Sequence, residues 1–335
     1  MPHIYPENYK PNMDILNTQK AIKVAKDTFE NELAGALGLT RVSAPIFVER
    51  GSGLNDDLNG VERPVAFDLK EKPGHEIQIV HSLAKWKRYA LGKYEFPMGH
   101  GLYTDMNAIR RDETTDNLHS VYVDQWDWEK VISREERTEE TLKEAVRGIH
   151  TALVRTLGVL RRLFPQVQTE LPESVTFIRT QELEDLYPGL SQEERELAFV
   201  KEHGAAFFIG IGWPLAGGQP HDGRAPDYDD WKLNGDLVYY HKELDGRIEI
   251  SSMGIRVDEA SLRCQLAAAE CENRAELPFH KALLAGELPL TMGGGIGQSR
   301  LCMLLLGRAH IGEVQSSVWP EEAIKLYADH GVKLL

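Results

Sequence analysis

The sequence predicts an α+β fold, a mainly antiparallel β-sheet flanked by helices. Strand-like segments recur along the whole chain. They seldom alternate with helical segments in the regular way that a parallel, doubly wound sheet requires. Helical segments, led by an amphipathic one near the start, are numerous enough to cover such a sheet.

Residues 18–37 form the first helix: Ile22, Ala25, Phe29, Leu33 and Ala36 recur at three- and four-residue steps, Asn17 can cap the start and Gly38 can end it. Leu39 to Phe47 follows as an extended segment whose Pro45 suits an edge or interface strand. Strands are expected at 64–69, 77–81, 119–128, 174–179, 205–211, 236–241 and 247–252, and helices at 83–91, 138–163, 191–203, 258–271, 278–285 and 299–306. Ser82 is the natural cap for the helix at 83–91, whose Lys85, Lys87 and Arg88 read most simply as an exposed face. The glycine-rich stretch 210–235, with Pro214, Pro220 and Pro226, reads as a long loop, and loops of that length in a compact domain are often functional. Neither a flexible linker nor a repeat interrupts the chain, whose 335 residues are enough for one large domain or two modest ones.

Bulk properties narrow the function. A net charge of −14 over 335 residues argues against a broad nucleic-acid surface, which needs clustered Lys and Arg. Hydrophobic content of 42% and charged content of 27% describe an ordinary globular protein, and no apolar run approaches membrane-spanning length. Cys264, Cys271 and Cys302 have neither CxxC nor Cys/His ligand spacing, and no leader is visible at the start, which together imply reduced thiols in a cytoplasmic protein.

The most informative stretch is Gly293-Gly294-Gly295-Ile296-Gly297-Gln298-Ser299-Arg300, followed by the apolar run 301–306. Alternate glycines let a backbone and a planar ligand approach closely, and Arg300 presents a charge-fixed fork suited to phosphate on the first turn of a helix. No Lys-Ser/Thr ends the run as in a P-loop, and no strand clearly precedes it, so a tight turn is the simpler reading of this segment by itself. In the strand around 119–128, period two puts Val121, Val123, Gln125 and Asp127 on one face and Tyr122, Asp124, Trp126 and Trp128 on the other. An amide beside a carboxylate can hold an ammonium and a carboxyl group together. Arg110 and Arg111 open a charged loop before this strand and could clamp a phosphate. Lys87 could pair with a substrate carboxylate. Asp56 and Asp57 lie in a turn-rich loop. The run Asp227, Asp229 and Asp230, and the later Asp236, could bind magnesium or ribose hydroxyls. Ser252 and Arg256 are in phase on a strand, with Gly254 leaving the surface between them open. An anionic ligand together with an amino acid is the economical reading of this set.

The same residues resemble a known family. Gly38 to Pro45 is similar to the first motif of class II aminoacyl-tRNA synthetases, whose proline lies at a dimer interface; the Arg-Asp-Glu segment with its following strand is similar to the second motif, and the glycine–arginine run to the third. More closely, His81 to Arg88, Val121 to Glu129, Arg224 to Trp231, Ser251 to Val257 and Gly293 to Leu301 resemble ammonia-dependent asparagine synthetases of the A type. The resemblance implies a class II synthetase-like catalytic domain acting as a homodimer. It implies the reaction of aspartate, ATP and ammonia to asparagine, AMP and pyrophosphate through a β-aspartyl adenylate, with Mg2+ and arginines offsetting phosphate charge. By position, Arg110 and Arg300 would hold the ATP phosphates, while Asp236, the backbone near Gly295 and Asp229 would seat the nucleotide. Asp56, Ser82, Lys87, Gln125, Asp127 and Arg256, with Ser252, would form the aspartate and ammonia pocket. Asp56 is the first choice and Asp127 the second for taking the ammonium proton. Because Arg111 stands where the family often has proline, and Arg111-Asp112-Glu113 fits the synthetase Arg-x-Glu spacing, either arginine could reach the α-phosphate.

Three other readings compete with this one. A true aspartyl- or asparaginyl-tRNA synthetase would need an anticodon-binding module, for which residues 1–20 are too short, and a basic face that the net charge opposes. A catalytically dead paralogue should have lost several of these polar residues, which are all present. Glutamine-dependent synthesis is disfavoured by the Met1-Pro2 start, which offers no cysteine nucleophile.

Overall fold

The computed structural model describes residues 3–56, 58 and 62–335. In chain order the strands are β1 Leu39–Arg41, β2 Phe47–Glu49, β3 Ala66–Leu69, β4 Lys72–Ile79, β5 Gly101–Ile109, β6 Tyr122–Val131, β7 Thr176–Arg179, β8 Ala205–Ile209, β9 Asp229–His241, β10 Gly246–Arg256 and β11 Thr291–Gly297. The helices are α1 Ile15–Leu37, α2 Ala84–Lys93, α3 Glu139–Leu163, α4 Thr180–Leu186, α5 Gln192–His203, α6 Glu259–Ala268, α7 Pro278–Leu284, α8 Gln298–Leu306 and α9 Glu321–Ala328. Eight strands make one sheet in the order β1-β5-β6-β11-β10-β9-β8-β7, and β2-β4-β3 make a small second sheet. The large sheet is antiparallel from β5 to β8; only its outer pairs, β1 with β5 and β7 with β8, are parallel.

One face of the sheet is closed by α1, α3 and α8. Trp126 and Trp128 of β6 point into this layer fully buried, and Phe29 of α1 meets Trp126 at 4.9 Å between ring centroids. The opposite face carries α2, which packs on β5 and β6 through Leu83, Trp86, Ala90 and Leu91. Burying bulky aromatics on one side leaves the alternate residues of β6 to face α2.

Several sequence expectations are corrected. Asp14, not Asn17, caps α1: its carboxylate accepts the Asn17 amide N–H at 2.8 Å, while Gly38 ends the helix as expected, at φ 71°. The extended segment 39–47 splits into β1 and β2, which belong to different sheets. Residues 229–235, read as loop, are the first half of a long β9. The glycine run is neither a turn nor a loop but a central strand, β11, hydrogen-bonded on both sides. The strand β5 and the helices α4 and α9 were not expected at all. Lys85, Lys87 and Arg88 are buried rather than exposed. Each finds an acceptor: Lys85 at Asp227, Lys87 at Gly294 O, and Arg88 at Pro289 O and Val257 O.

Candidate active site

Strand register sets out the site. Asp127 of β6 stands opposite Gly295 of β11, Gly295 opposite Ser252 of β10, and Ser252 opposite Asp236 of β9. The neighbouring row runs Glu129, Gly293, Gly254 and Asn234, and on the other side Gln125 faces Gly297. The three alternate glycines therefore lie on one face of one strand, flanked by the carboxylates of β6. A Cβ at Gly295 would come 2.5 Å from Gln125 Oε1 and 2.8 Å from Asp127 Oδ1, and one at Gly293 would strike the Glu129 carboxylate. Their function is to have no side chain, since neither residue has a positive φ.

Above this floor lies a cavity of 490 Å³, within the size range of pockets for small-molecule substrates. One end collects Asp56, Ser82, Lys87 and Asp127. Leu83 occupies the N-cap position of α2, and the Ser82 hydroxyl before it accepts the Ala84 N–H at 3.4 Å while donating to Asp56 Oδ2 at 2.9 Å; Asp56 Oδ1 accepts the Leu58 N–H at 2.9 Å. Lys87 reaches Gly294 O at 2.9 Å and Asp127 Oδ2 at 3.3 Å, with Glu129 at 3.9 Å. Burial pulls the Lys87 ammonium pKa below its usual value, against the stabilising pull of Asp127 and Glu129. Asp127 Oδ1 is buried with no partner among the described residues. An unpaired buried acceptor of this kind is an open position for a donor on a substrate.

Arg256 is clamped in place. It donates to Glu129 at 2.8–3.1 Å and to Asp229, and lies over the Tyr228 ring at 5.7 Å. Burial by itself would raise the Glu129 pKa, but the Arg256 guanidinium overrides it and holds the carboxyl below its ordinary range. Asp229 is left above its usual value, because burial outweighs the pull of Arg256 and Arg224.

The other end holds the remaining arginines. Arg110 lines the cavity, and its buried Nε has no partner among the described residues. Arg111 is exposed and does not contribute to the wall. Arg300, on the first turn of α8, donates to Leu118 O at 3.4 Å and Glu249 O at 3.3 Å, and stands 3.8 Å from the Glu249 carboxylate. These are long contacts, so its fork is only loosely engaged.

Most residues named from the sequence thus meet in one cavity, whose lining includes Asp56, Ser82, Lys87, Arg110, Gln125, Asp127, Asp229, Ser252, Arg256, Gly295 and Arg300. Asp236 stands behind the wall, accepting from Arg224, which does line the cavity. Burial, reinforced by Glu249 and only partly offset by Arg224, pushes Asp236 up to about 7. Two other members of the acidic run are committed elsewhere. Asp227 is wholly buried among Lys85, His280 and Arg274, and Asp230 pairs with Arg137 at 2.9 Å. Asp57 lies outside the described residues. Sequence reasoning gave no role to Glu129, Arg224 or Glu249. Period two would have found Glu129, in phase with Gln125 and Asp127; Arg224 opens one of the segments that carry the family resemblance, whereas no local signal marks Glu249. Among the described residues no group of three or more His, Cys, Asp or Glu is arranged to hold a metal ion.

Comparison with known proteins identifies the family. The family model described as aspartate-ammonia ligase matches residues 16–331. An aspartate–ammonia ligase of Clostridium perfringens (strain SM101 / Type A) is 61% identical over 330 residues, covering 98% of both chains. One from Ruminiclostridium cellulolyticum is 60% identical over 332 residues, covering 99% of both. Among solved structures, the asparaginyl-tRNA synthetase of Pyrococcus horikoshii complexed with asparaginyl-adenylate shares the fold with a TM-score of 0.65 at 15% identity, over 91% of this chain and 70% of that one. The Entamoeba histolytica asparaginyl-tRNA synthetase in complex with asparaginyl-adenylate matches with a TM-score of 0.64 at 14% identity, over 90% of this chain and 66% of that one, so this chain spans just under two thirds of its length. The fold is that of class II aminoacyl-tRNA synthetase catalytic domains, and the chain belongs to the aspartate–ammonia ligase family.

Proposed function

We propose that this chain is a single catalytic domain that converts aspartate, ATP and ammonia to asparagine, AMP and pyrophosphate through a β-aspartyl adenylate. The family supports the ligase activity. The residue roles are supported by one observation: the cavity joins an end rich in Asp56, Ser82, Lys87 and Asp127 to an end rich in arginine, across a floor of glycine. The first end suits an amino acid with two carboxylates, the second a triphosphate.

Asp127 Oδ1 and Gln125 receive the α-ammonium of aspartate, and Lys87 and Arg256 hold its carboxylates. Ser252 lies between them on the floor. Arg110 and Arg300 take the phosphates, and Arg224, braced by Asp236, adds a third cation. Asp229 acts by fixing Arg256. Glu249, which lines the cavity, is the residue that would hold a magnesium ion brought in with the nucleotide, most of whose ligands would be phosphate oxygens and water. The chemistry of the ion is to offset charge on the phosphates as the α-phosphorus is attacked.

Adenylation is needed because a carboxylate oxygen is a poor leaving group. Once the β-carboxylate is joined to AMP, ammonium passes one proton to Asp56 and attacks as ammonia. The C–N bond forms, the bond from the carbonyl carbon to the AMP oxygen breaks, and AMP leaves with that electron pair. The second proton lost by nitrogen passes to solvent. Asp127 is the alternative first acceptor. The enzyme is cytoplasmic and acts without nucleic acid or membrane.

Purified protein incubated with aspartate, ATP, Mg2+ and ammonium is expected to form asparagine with AMP. Formation of ADP, or of no product, sinks the adenylation reading. Arg300→Ala is expected to abolish aspartate-dependent exchange of pyrophosphate into ATP without changing the melting temperature. A variant that fails to fold would make Arg300 a structural residue.

A further inference from the structure

A second cavity of 370 Å³ lies behind Asp56, which lines both spaces. Its wall includes Asn55, Glu62, Gln78, His81 and Lys85. Resting on the ligase reading above, we infer that this cavity is the path by which ammonium reaches the adenylate, and that His81 Nε2 is its acceptor on the way.

The tautomer of His81 follows from its contacts. Nδ1 lies 3.0 Å from the backbone carbonyl of Asp56, and a carbonyl can only accept, so Nδ1 carries the proton. In the neutral ring this leaves Nε2 with a lone pair. It is buried, in a residue only 1% exposed, and has no partner among the described residues. A buried acceptor without a donor is costly, and a small N–H donor in the cavity satisfies it. Asn55 holds this acceptor against Asp56: its Oδ1 receives both the His81 N–H at 2.9 Å and the Asp56 N–H at 3.0 Å. Most charges in the wall are met locally: Lys85 shares Asp227 at 3.0 Å with Arg274 and His280, Arg50 meets Glu76 at 3.1 Å and Glu49 meets Lys72 at 2.9 Å, while Asp56 contributes a carboxylate where the two cavities adjoin.

The second cavity also offers a separate path: with aspartyl adenylate in the main cavity, the space behind Asp56 lets the nucleophile approach without crossing the nucleotide. Ammonium held at His81 Nε2 is next to Asp56, which takes its proton and opens onto the reacting carbonyl. His81 is a binding residue in this scheme and undergoes no net protonation.

Two variants test the inference. His81→Asn keeps an N–H donor for the Asp56 carbonyl and removes the Nε2 acceptor. It is expected to raise the KM for ammonium about 10- to 100-fold, the loss of one hydrogen bond to a charged donor, while KM for aspartate and ATP is unaltered. Gln78→Phe, on β4, narrows the cavity from the other wall and is expected to raise the same KM while aspartate-dependent pyrophosphate exchange is unchanged. An unaltered ammonium KM in a variant that retains exchange overturns the inference; if His81→Asn does not fold, Gln78→Phe decides by the same criterion. Absence of exchange in the unmodified protein overturns the ligase reading itself, and the inference with it.

Discussion

At Gly295 the absence of a side chain decides whether the cavity exists. A methyl there would stand 2.5 Å from Gln125 Oε1 and 2.8 Å from Asp127 Oδ1, both on the strand that faces the substrate. Gly295→Ala is therefore expected to cut kcat/KM for aspartate by at least about 100-fold, the scale on which displacing a positioned group costs rate. Near-normal kinetics would mean that the pocket does not sit on this row. Arg256 is a different case, because it serves structure as well as binding. Its removal takes the nearest cation from Glu129, which has no exposed surface and would keep only the Thr291 hydroxyl at 2.7 Å and Lys87 at 3.9 Å, and from Asp229, which is 2% exposed. Arg256→Ala should destabilise the protein by about 3–5 kcal/mol, the cost of breaking a buried ion pair from one side. Denaturant unfolding measures this directly, and a change under about 1 kcal/mol would show that water reaches the two carboxylates.

Elements with strong periodicity were legible in the sequence, and those defined only by their neighbours were not. The apolar steps of α1 and the alternation of β6 appear in the structure with small shifts of boundary, because both patterns record burial that the chain needs whatever surrounds it. By contrast, β11 has four glycines among seven residues and none of the branched or aromatic side chains that mark strands apart from Thr291 and Ile296. Its strand state is imposed by β6 and β10 on either side. The polar face of α2 misled for a related reason. Lysine and arginine normally signal solvent, yet here their acceptors come from residues more than a hundred positions away, Asp227, Pro289 and Gly294. The cap of α1 offers a test at this scale. Asp14 is exposed and its carboxylate touches the helix only at Asn17, so Asp14→Ala should lower stability by about 1 kcal/mol without altering turnover. An equal effect from Asn17→Ala would return the capping role to Asn17.

For the molecule as a whole, the smaller sheet and the β1 edge offer a surface that a single chain leaves uncovered. Ile46 is 53% exposed, Phe47 40% and Phe67 36%, and the last two rings meet edge to face at 5.4 Å. Ile46 and Phe47 directly follow Pro45, where the resemblance to class II synthetases places a dimer contact. Apolar side chains grouped in this way mark an interaction surface more often than isolated ones do. A second copy meeting the first around a twofold axis would cover the same patch on both chains, which is how most homodimers are built. Light scattering of the purified protein should then give twice 37.8 kDa, and the Ile46→Asp, Phe47→Asp double variant should shift the mass to that of one chain. The site residues lie within one chain and the charges would be placed on exposed positions, so the variant should keep its fold. A wild-type mass of 37.8 kDa would rule the dimer out, and an unchanged dimeric mass in the variant would move the interface away from this sheet.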